Sequence, residues 1–315
     1  MAYLTKFGSL WGAIPQTCGR VFWVSPGDSF TLNGTAWRAS DDNDGLSPER
    51  PLRRVNRAWA LCTANAGDII MLLPGTHVAA NTAGTATSIA ANVAGVTMMG
   101  LPNTGPNMLR QRASLNIAAV DETVNVTAAD IEIANIAFVG VASQTAIATL
   151  NYSAAASRLY IHDCTVDVTA QTISTSILGF DATGAAAFVV FERCHFITDG
   201  AFGAMIDLTA TTDSLVQDCI FTHTTGSLAA VITCGAATDR ATIRRNTFND
   251  GAGTITVAVD GTGATIAGGV LMSYNYGGVT TTLAANFTAG EAELCNNYDG
   301  GVGAGDGGVL YTATA

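Results

Sequence analysis

Leu159-Tyr160-Ile161-His162-Asp163-Cys164-Thr165-Val166 returns 30 residues later as Val189-Val190-Phe191-Glu192-Arg193-Cys194-His195-Phe196. It returns again as Ser214-Leu215-Val216-Gln217-Asp218-Cys219-Ile220-Phe221. An earlier copy, Ile131-Glu132-Ile133-Ala134-Asn135-Ile136-Ala137-Phe138, precedes these. Three weaker copies follow: Ala241-Thr242-Ile243-Arg244-Arg245-Asn246-Thr247-Phe248, Leu271-Met272-Ser273-Tyr274-Asn275-Tyr276 and Leu294-Cys295-Asn296-Asn297-Tyr298. Aligned on Ile136, Cys164, Cys194, Cys219, Asn246, Asn275 and Asn297, the steps are 28, 30, 25, 27, 29 and 22 residues, a mean of about 27. Inside each copy the apolar residues fall at every second position, with a change of phase in the middle. Such a pattern describes two short strands joined by a bend, not the 3.6-residue period of a helix.

A repeat of this length cannot bury its own apolar face, but stacked on its neighbours it can. The expected fold is therefore all-β, a parallel β-solenoid in which equivalent residues of successive coils lie about 4.8 Å apart. Stacking turns the repeated positions into files. Cys164, Cys194 and Cys219 are expected to form an internal file of small side chains, continued by Asn246, Asn275 and Asn297 as a ladder of amides. One position earlier, Asp163, Arg193, Asp218 and Arg245 alternate in sign and are expected to pair across coils.

Composition narrows the function classes. The chain has 315 residues, of which only 12% are charged, and a formal net charge of −11. An acidic chain with no basic run longer than Arg53-Arg54 or Arg244-Arg245 lacks the stripe that nucleic acid requires. No uninterrupted apolar run reaches about 18 residues, so no membrane span is expected. So few charges on a long surface favour a flank covered by partner subunits, with a homotrimer as the expectation. Seven cysteines without a CxxC pair argue against zinc and redox motifs and for buried free thiols assembled in a reducing cytoplasm. The opening residues are read as a docking arm and not as a cleaved signal.

Four segments follow: an arm over 1–24, a capping segment with the helix and the first coil over 25–80, the parallel β-helix over 81–299 and a Gly-rich tail over 300–315, which is either flexible or a strand that adds to a neighbour. Val21-Phe22-Trp23-Val24 reads as a strand, and Ser25 to Trp37 as a loop. A helix is expected from near Pro51 to about Ala64, with Leu52, Val55, Trp59 and Cys62 on one face. Coils are expected from about Leu115 to Leu283, with an edge at Thr97–Pro102 and a protruding loop from Asn103 to Arg112.

The stretch Ser40-Asp41-Asp42-Asn43-Asp44-Gly45, then Pro51-Leu52, then Gly67-Asp68-Ile69-Ile70-Met71-Leu72-Leu73-Pro74-Gly75 resembles the opening segment of the pectate-lyase-like right-handed parallel β-helix superfamily. The resemblance covers about 40 residues by motif and implies a right-handed parallel β-helix with an N-terminal capping helix. It says little about activity, because enzymes and inert bacteriophage virion proteins share it.

Candidate chemistry is sparse. Asp41-Asp42-Asn43-Asp44-Gly45 offers hard oxygens for Ca²⁺, but the acid expected at Ser40 and a distal Glu are missing, so an Asx-stabilised turn is favoured. Phe180-Asp181, Ile206-Asp207, Thr233-Cys234 and Val259-Asp260 recur at steps of 26, 27 and 26. Asp181 and Asp207 on adjacent coils would sit at the separation of a retaining glycosidase pair, yet turn acids are the simpler reading. His77, His162, His195 and His223 are read as outward-facing, without a carboxylate placed to orient them. No catalytic, cofactor or metal residue is assigned, and the balance leans away from an enzyme. The leading expectation is a structural virion protein of a tailed bacteriophage, assembled in the host cytoplasm and decorating or cementing the head shell against the major capsid protein or other virion proteins. A tail-spike or fibre module binding host glycan and a polysaccharide lyase or hydrolase are the alternatives.

Overall fold

The computed structural model describes residues 19–32, 35–78, 88–101, 113–116, 124–140, 149–169, 180–199, 203–261, 266, 268–279, 282–287, 292–299 and 308–310. The described residues form a parallel β-helix of three long sheets with ten, ten and eight strands. Successive coils contribute neighbouring strands, as the register Glu132↔Tyr160, Tyr160↔Val190, Val190↔Leu215, Leu215↔Thr242 and Thr242↔Leu271 shows along the first sheet. The expected alignment of the seven copies is this register. The first sheet extends into the N-terminal segments: Val21–Val24 pairs with Ile69–Leu72, which pairs with Thr97–Gly100. At the other end Ala292–Cys295 and Asn297–Asp299 continue the sheets, and Gly308–Leu310 of the tail adds antiparallel to Asn297–Asp299.

The bend inside each repeat is a single left-handed residue. Asn135, Asp163, Arg193, Asp218, Arg245, Tyr274 and Asn296 all have φ between 51° and 56°. That conformation swings the chain from the first sheet to the second and explains the change of phase in the apolar pattern. The next residue, at Ile136, Cys164, Cys194, Cys219, Asn246, Asn275 and Asn297, points inward. The first six of these are at most 1% exposed and Asn297 is fully buried.

Behind that turn the second sheet carries a file of rings. Phe196 stacks on Phe221 at 4.9 Å and Phe221 on Phe248 at 5.1 Å, all fully or almost fully buried. Each buried ring contributes about 1.5–3 kcal/mol relative to exposure. The file ends at Gly277, where a Cβ would lie 2.2 Å from Leu283 Cδ2, so Leu283 fills the place the next ring would take.

The N-terminal end is covered by a short helix, Val55–Leu61, with Val55, Ala58 and Trp59 buried against the first coils. It is shorter than the pattern predicts. Leu52 is drawn into an extended bridge with Val24, and Asp41 Oδ1 accepts the amides of Arg53 and Arg54 at 3.2 and 3.0 Å. Asn56 completes the cap by bonding Ser88 O and Ala90 N, both at 3.2 Å, along the exposed edge of the third sheet. The segment read as a loop contains an antiparallel hairpin, Ser29–Leu32 with Thr35–Arg38. Asp68 of the Gly-Asp-Ile-Ile stretch is buried and ties the cap together. It accepts the Arg20 and Thr63 amides, both at 2.8 Å, and pairs with the Arg20 guanidinium at 2.8 Å. The expected loop from Asn103 to Arg112 lies outside the described residues.

Candidate functional site

The densest group of titratable side chains lies on the outer face of the first sheet, where it meets the left-handed turn. Glu132, Tyr160, His162, Glu192 and Gln217 project outward from successive strands, while Asp163 and Arg193 occupy the turn itself. His162 is held between two carboxylates, with Nε2 2.8 Å from Glu132 Oε1 and Nδ1 2.7 Å from Asp163 Oδ2. Arg193 bridges Asp163 at 2.8 Å and Glu192 at 2.7 Å. Glu192 also accepts the Tyr160 hydroxyl and, at 2.8 Å, the Gln217 amide. Gln217 in turn accepts from Arg244 at 2.9 Å, and Arg245 pairs with Asp218 at 2.7 Å. The paired charges expected along Asp163, Arg193, Asp218 and Arg245 are present as Arg193–Asp163 and Arg245–Asp218.

Electrostatics follow this wiring. Burial alone would lower the pKa of His162, but its bonds to Glu132 and Asp163 outweigh that and raise it. The bond from His162 lowers Glu132, the guanidinium of Arg193 lowers Asp163, and the Tyr160 hydroxyl leads the causes that lower Glu192. Desolvation, followed by the bond to Glu192, pushes Tyr160 up to about 12. Both His162 nitrogens face carboxylates, so neither is presented to take a proton from a substrate. The group is a closed, charge-compensated network.

Two readings of the histidines are corrected by this geometry. His162 does have carboxylate partners: Asp163 is its neighbour in sequence, brought round by the left-handed turn, while Glu132 is hidden from sequence because it lies 30 residues away and two positions off in the strand. His77 and His223 face inward and not outward. His77 is buried with Nε2 2.8 Å from Leu73 O, and burial lowers its pKa to about 4. His223 is fully buried with Nδ1 3.0 Å from Thr198 Oγ1, whereas half-buried His195 reaches Thr222 Oγ1 at 3.2 Å.

The acids of the third sheet do not form an exposed catalytic pair. Phe180 pairs with Ile206, which places Asp181 beside Asp207 on adjacent strands. Asp207, however, is buried, and its Oδ1 accepts the Thr209 amide at 2.8 Å and the Thr233 hydroxyl at 3.1 Å. The expected file is also one residue out: Ile232 pairs with Ile206 and Thr233 with Asp207, so Cys234 is not part of it. The core requirement of Ile232 decides that register. Asp260 continues the row and accepts from Asn286 at 2.7 Å.

The Asp41–Gly45 loop is a hydrogen-bonded turn. Asp41 serves the Arg53 and Arg54 amides and the Arg54 guanidinium, Asn43 bonds Pro51 O at 2.9 Å, and Asp44 accepts the Leu46 amide at 3.1 Å. With Arg38, Arg54 and Arg57 lining the same cleft, it is a poor cage for Ca²⁺. Among the described residues no group of three or more His, Cys, Asp or Glu side chains is gathered as a metal ion would need. The sequence reading also missed a second row of turn pairs, Arg158–Asp130 and Arg240–Asp213, although the same alternation of Asp and Arg at the repeat spacing signals them.

No protein-family profile matches the chain, and no curated protein matches it. Among solved structures it is similar to a pectin methylesterase in complex with a hexasaccharide, at 9% identity and TM-score 0.37, covering 84% of this chain and 71% of that one. It is also similar to pectate lyase Pel9A, at 14% identity and TM-score 0.34, covering 92% of this chain and 82% of that one. At such identities and scores no activity transfers. The assignment as a parallel β-helix rests on the strand pairing itself.

Proposed function

We propose that this chain is a structural protein of a tailed bacteriophage virion, a β-helix that decorates or cements the head shell, associating as a trimer. One observation carries the non-enzymatic part of this reading: the candidate chemistry of the coils is consumed by pairing between coils. His162, Asp163, Glu192 and Arg193 satisfy one another, and Asp207 is sealed. The buried free thiols Cys164, Cys194, Cys219 and Cys234 support assembly in a reducing compartment. Electron cryomicroscopy of the assembled particle is expected to place many symmetry-related copies on the head. A handful of copies at the tail would overturn decoration, and sedimentation of a stable monomer would remove the trimer.

The tail-module reading is favoured by a separate feature. Tyr274, Tyr276 and Tyr298 are 63%, 47% and 41% exposed, and the rings of Tyr276 and Tyr298 stack at 5.3 Å on the outside of the last coils. Such a platform suits a sugar ring. Glycan-array binding abolished by Tyr276→Ala would favour the tail module over decoration. Release of sugars from acidic polysaccharide, lost in Asp181→Asn, would favour the enzyme reading.

A further inference from the structure

The N-terminal cap contains a cleft of about 490 Å³ that no part of the foregoing reading uses. Its walls come from three places: the hairpin end at Arg38, the Ser40–Asp42 turn, and the residues around the start of the helix, Arg53, Arg54 and Arg57. The volume lies within the range of small-ligand sites. Four of the 14 cationic side chains of an acidic chain meet here.

Two of the four arginines are neutralised locally, Arg53 by Asp28 at 2.5 Å and Arg54 by Asp41 at 2.9 Å. Arg38 and Arg57 have no acidic partner within ion-pair distance among the described residues. Arg57 is aimed by one bond, Nε to the carbonyl of Asp41 at 3.3 Å, which leaves its terminal nitrogens for another acceptor. Asp42 lines the same cleft, so four guanidiniums face three carboxylates and the surplus is one positive charge.

We propose that this cleft binds a carboxylate group, gripped by Arg38 and Arg57. A guanidinium fork matches the planar carboxylate in a bidentate fashion. The carboxylate gripped by the two guanidiniums brings one negative charge into the cleft and cancels the surplus, while the other carboxylates of a polyacid stay in solvent outside it. A phosphate dianion carries both charges on one centre and would overshoot beside Asp42. The carboxylate is supplied either by a Glu or Asp side chain of a partner protein segment or by a free organic acid. The proposal is independent of where on a virion, or whether on one, the chain resides.

Calorimetric titration of the full chain at low salt with hexaglutamate, citrate and inorganic phosphate tests the assignment. Saturable binding of hexaglutamate supports a protein segment as the source, and binding of citrate alone supports a free acid. In either case Arg38→Gln/Arg57→Gln is expected to weaken binding at least tenfold, while Arg158→Gln, which removes one charge on a distant turn, leaves it unchanged. Should the double variant fail to fold, phenylglyoxal labelling of the wild type gives the same answer: the binding acid protects Arg38 and Arg57 but not Arg158. Absence of saturable binding by either acid, equal loss in Arg158→Gln, or phosphate binding as tight as citrate would overturn the proposal.

Discussion

Two files run side by side along the first turn of this β-helix, one residue apart in sequence and opposite in environment. The inner file, Cys164, Cys194, Cys219, Asn246, Asn275 and Asn297, is dry. The outer file, Asp163, Arg193, Asp218 and Arg245, is open to water on one side, with Arg193 and Arg245 each 46% exposed. Both files bond coil to coil. The difference teaches where the fold is held: a polar group sealed from water must be satisfied by protein, while a half-exposed ion pair competes with solvent and is worth little.

Asn275 is the strongest place to break the comparison. Its Oδ1 accepts the backbone amide and side-chain amide of Asn246 at 3.0 and 3.1 Å, and its Nδ2 donates to Ile243 O and Asn297 Oδ1, both at 2.9 Å. Asn275→Ala strands several buried groups at once and is expected to cost about 3–5 kcal/mol in urea unfolding. Cys194→Ala, in the same file, removes only weak S–H bonds at 3.4 and 3.7 Å and is expected to cost about 1 kcal/mol. Equal effects at the two positions would show that the amide ladder adds nothing beyond filling space.

The interior also contains a histidine, His77, which faces Leu115 of the next coil. Its pKa falls from 6.5 to about 4 because burial penalises the imidazolium. Between those values the unfolded chain binds the proton and the folded one does not, so stability is complete above about pH 6.5 and declines as pH falls toward 4. The loss is about 3 kcal/mol by the difference in pKa. Denaturant curves at pH 7 and 4.5 are expected to show it, and a His77→Gln variant is expected to lose that part of the slope.

How far these features were legible in the sequence follows from the same geometry. A solenoid converts a sequence period into spatial contact, so Cys164 above Cys194 and Arg193 above Asp163 could be read from spacing alone. Contacts between different rows could not. Glu132 meets His162 because two outward rows flank one inward residue, Ile161, and a long side chain reaches across it. The placement of Cys234 failed by one residue because Thr233-Cys234 looks as plausible as Ile232-Thr233 until Ile232 must enter the core. The arginine cleft is a further step removed, since Arg38 and Arg57 belong to no repeat and meet only through a hairpin and a capping turn.

On the outer file, Arg193→Gln removes partners of Asp163 and Glu192 that are themselves partly exposed, and about 1 kcal/mol or less is expected after solvent screening. His162 gives the smallest effect, with the sign opposite to that of His77. Glu132, Asp163, Glu192 and Asp218 carry four negative charges, while Arg193, Arg244 and Arg245 carry three positive ones. Only a protonated His162 balances them. Its raised pKa means the folded state holds the proton more tightly than the unfolded chain, so its contribution is complete below the unfolded pKa of about 6.5 and is lost as pH rises through the folded value. Comparing wild type with His162→Gln from pH 5.5 to 8.5 is expected to show the wild-type advantage shrinking toward alkaline pH. A constant difference across that range would mean that the network tolerates a neutral imidazole, and that the outer file is held by its arginines alone.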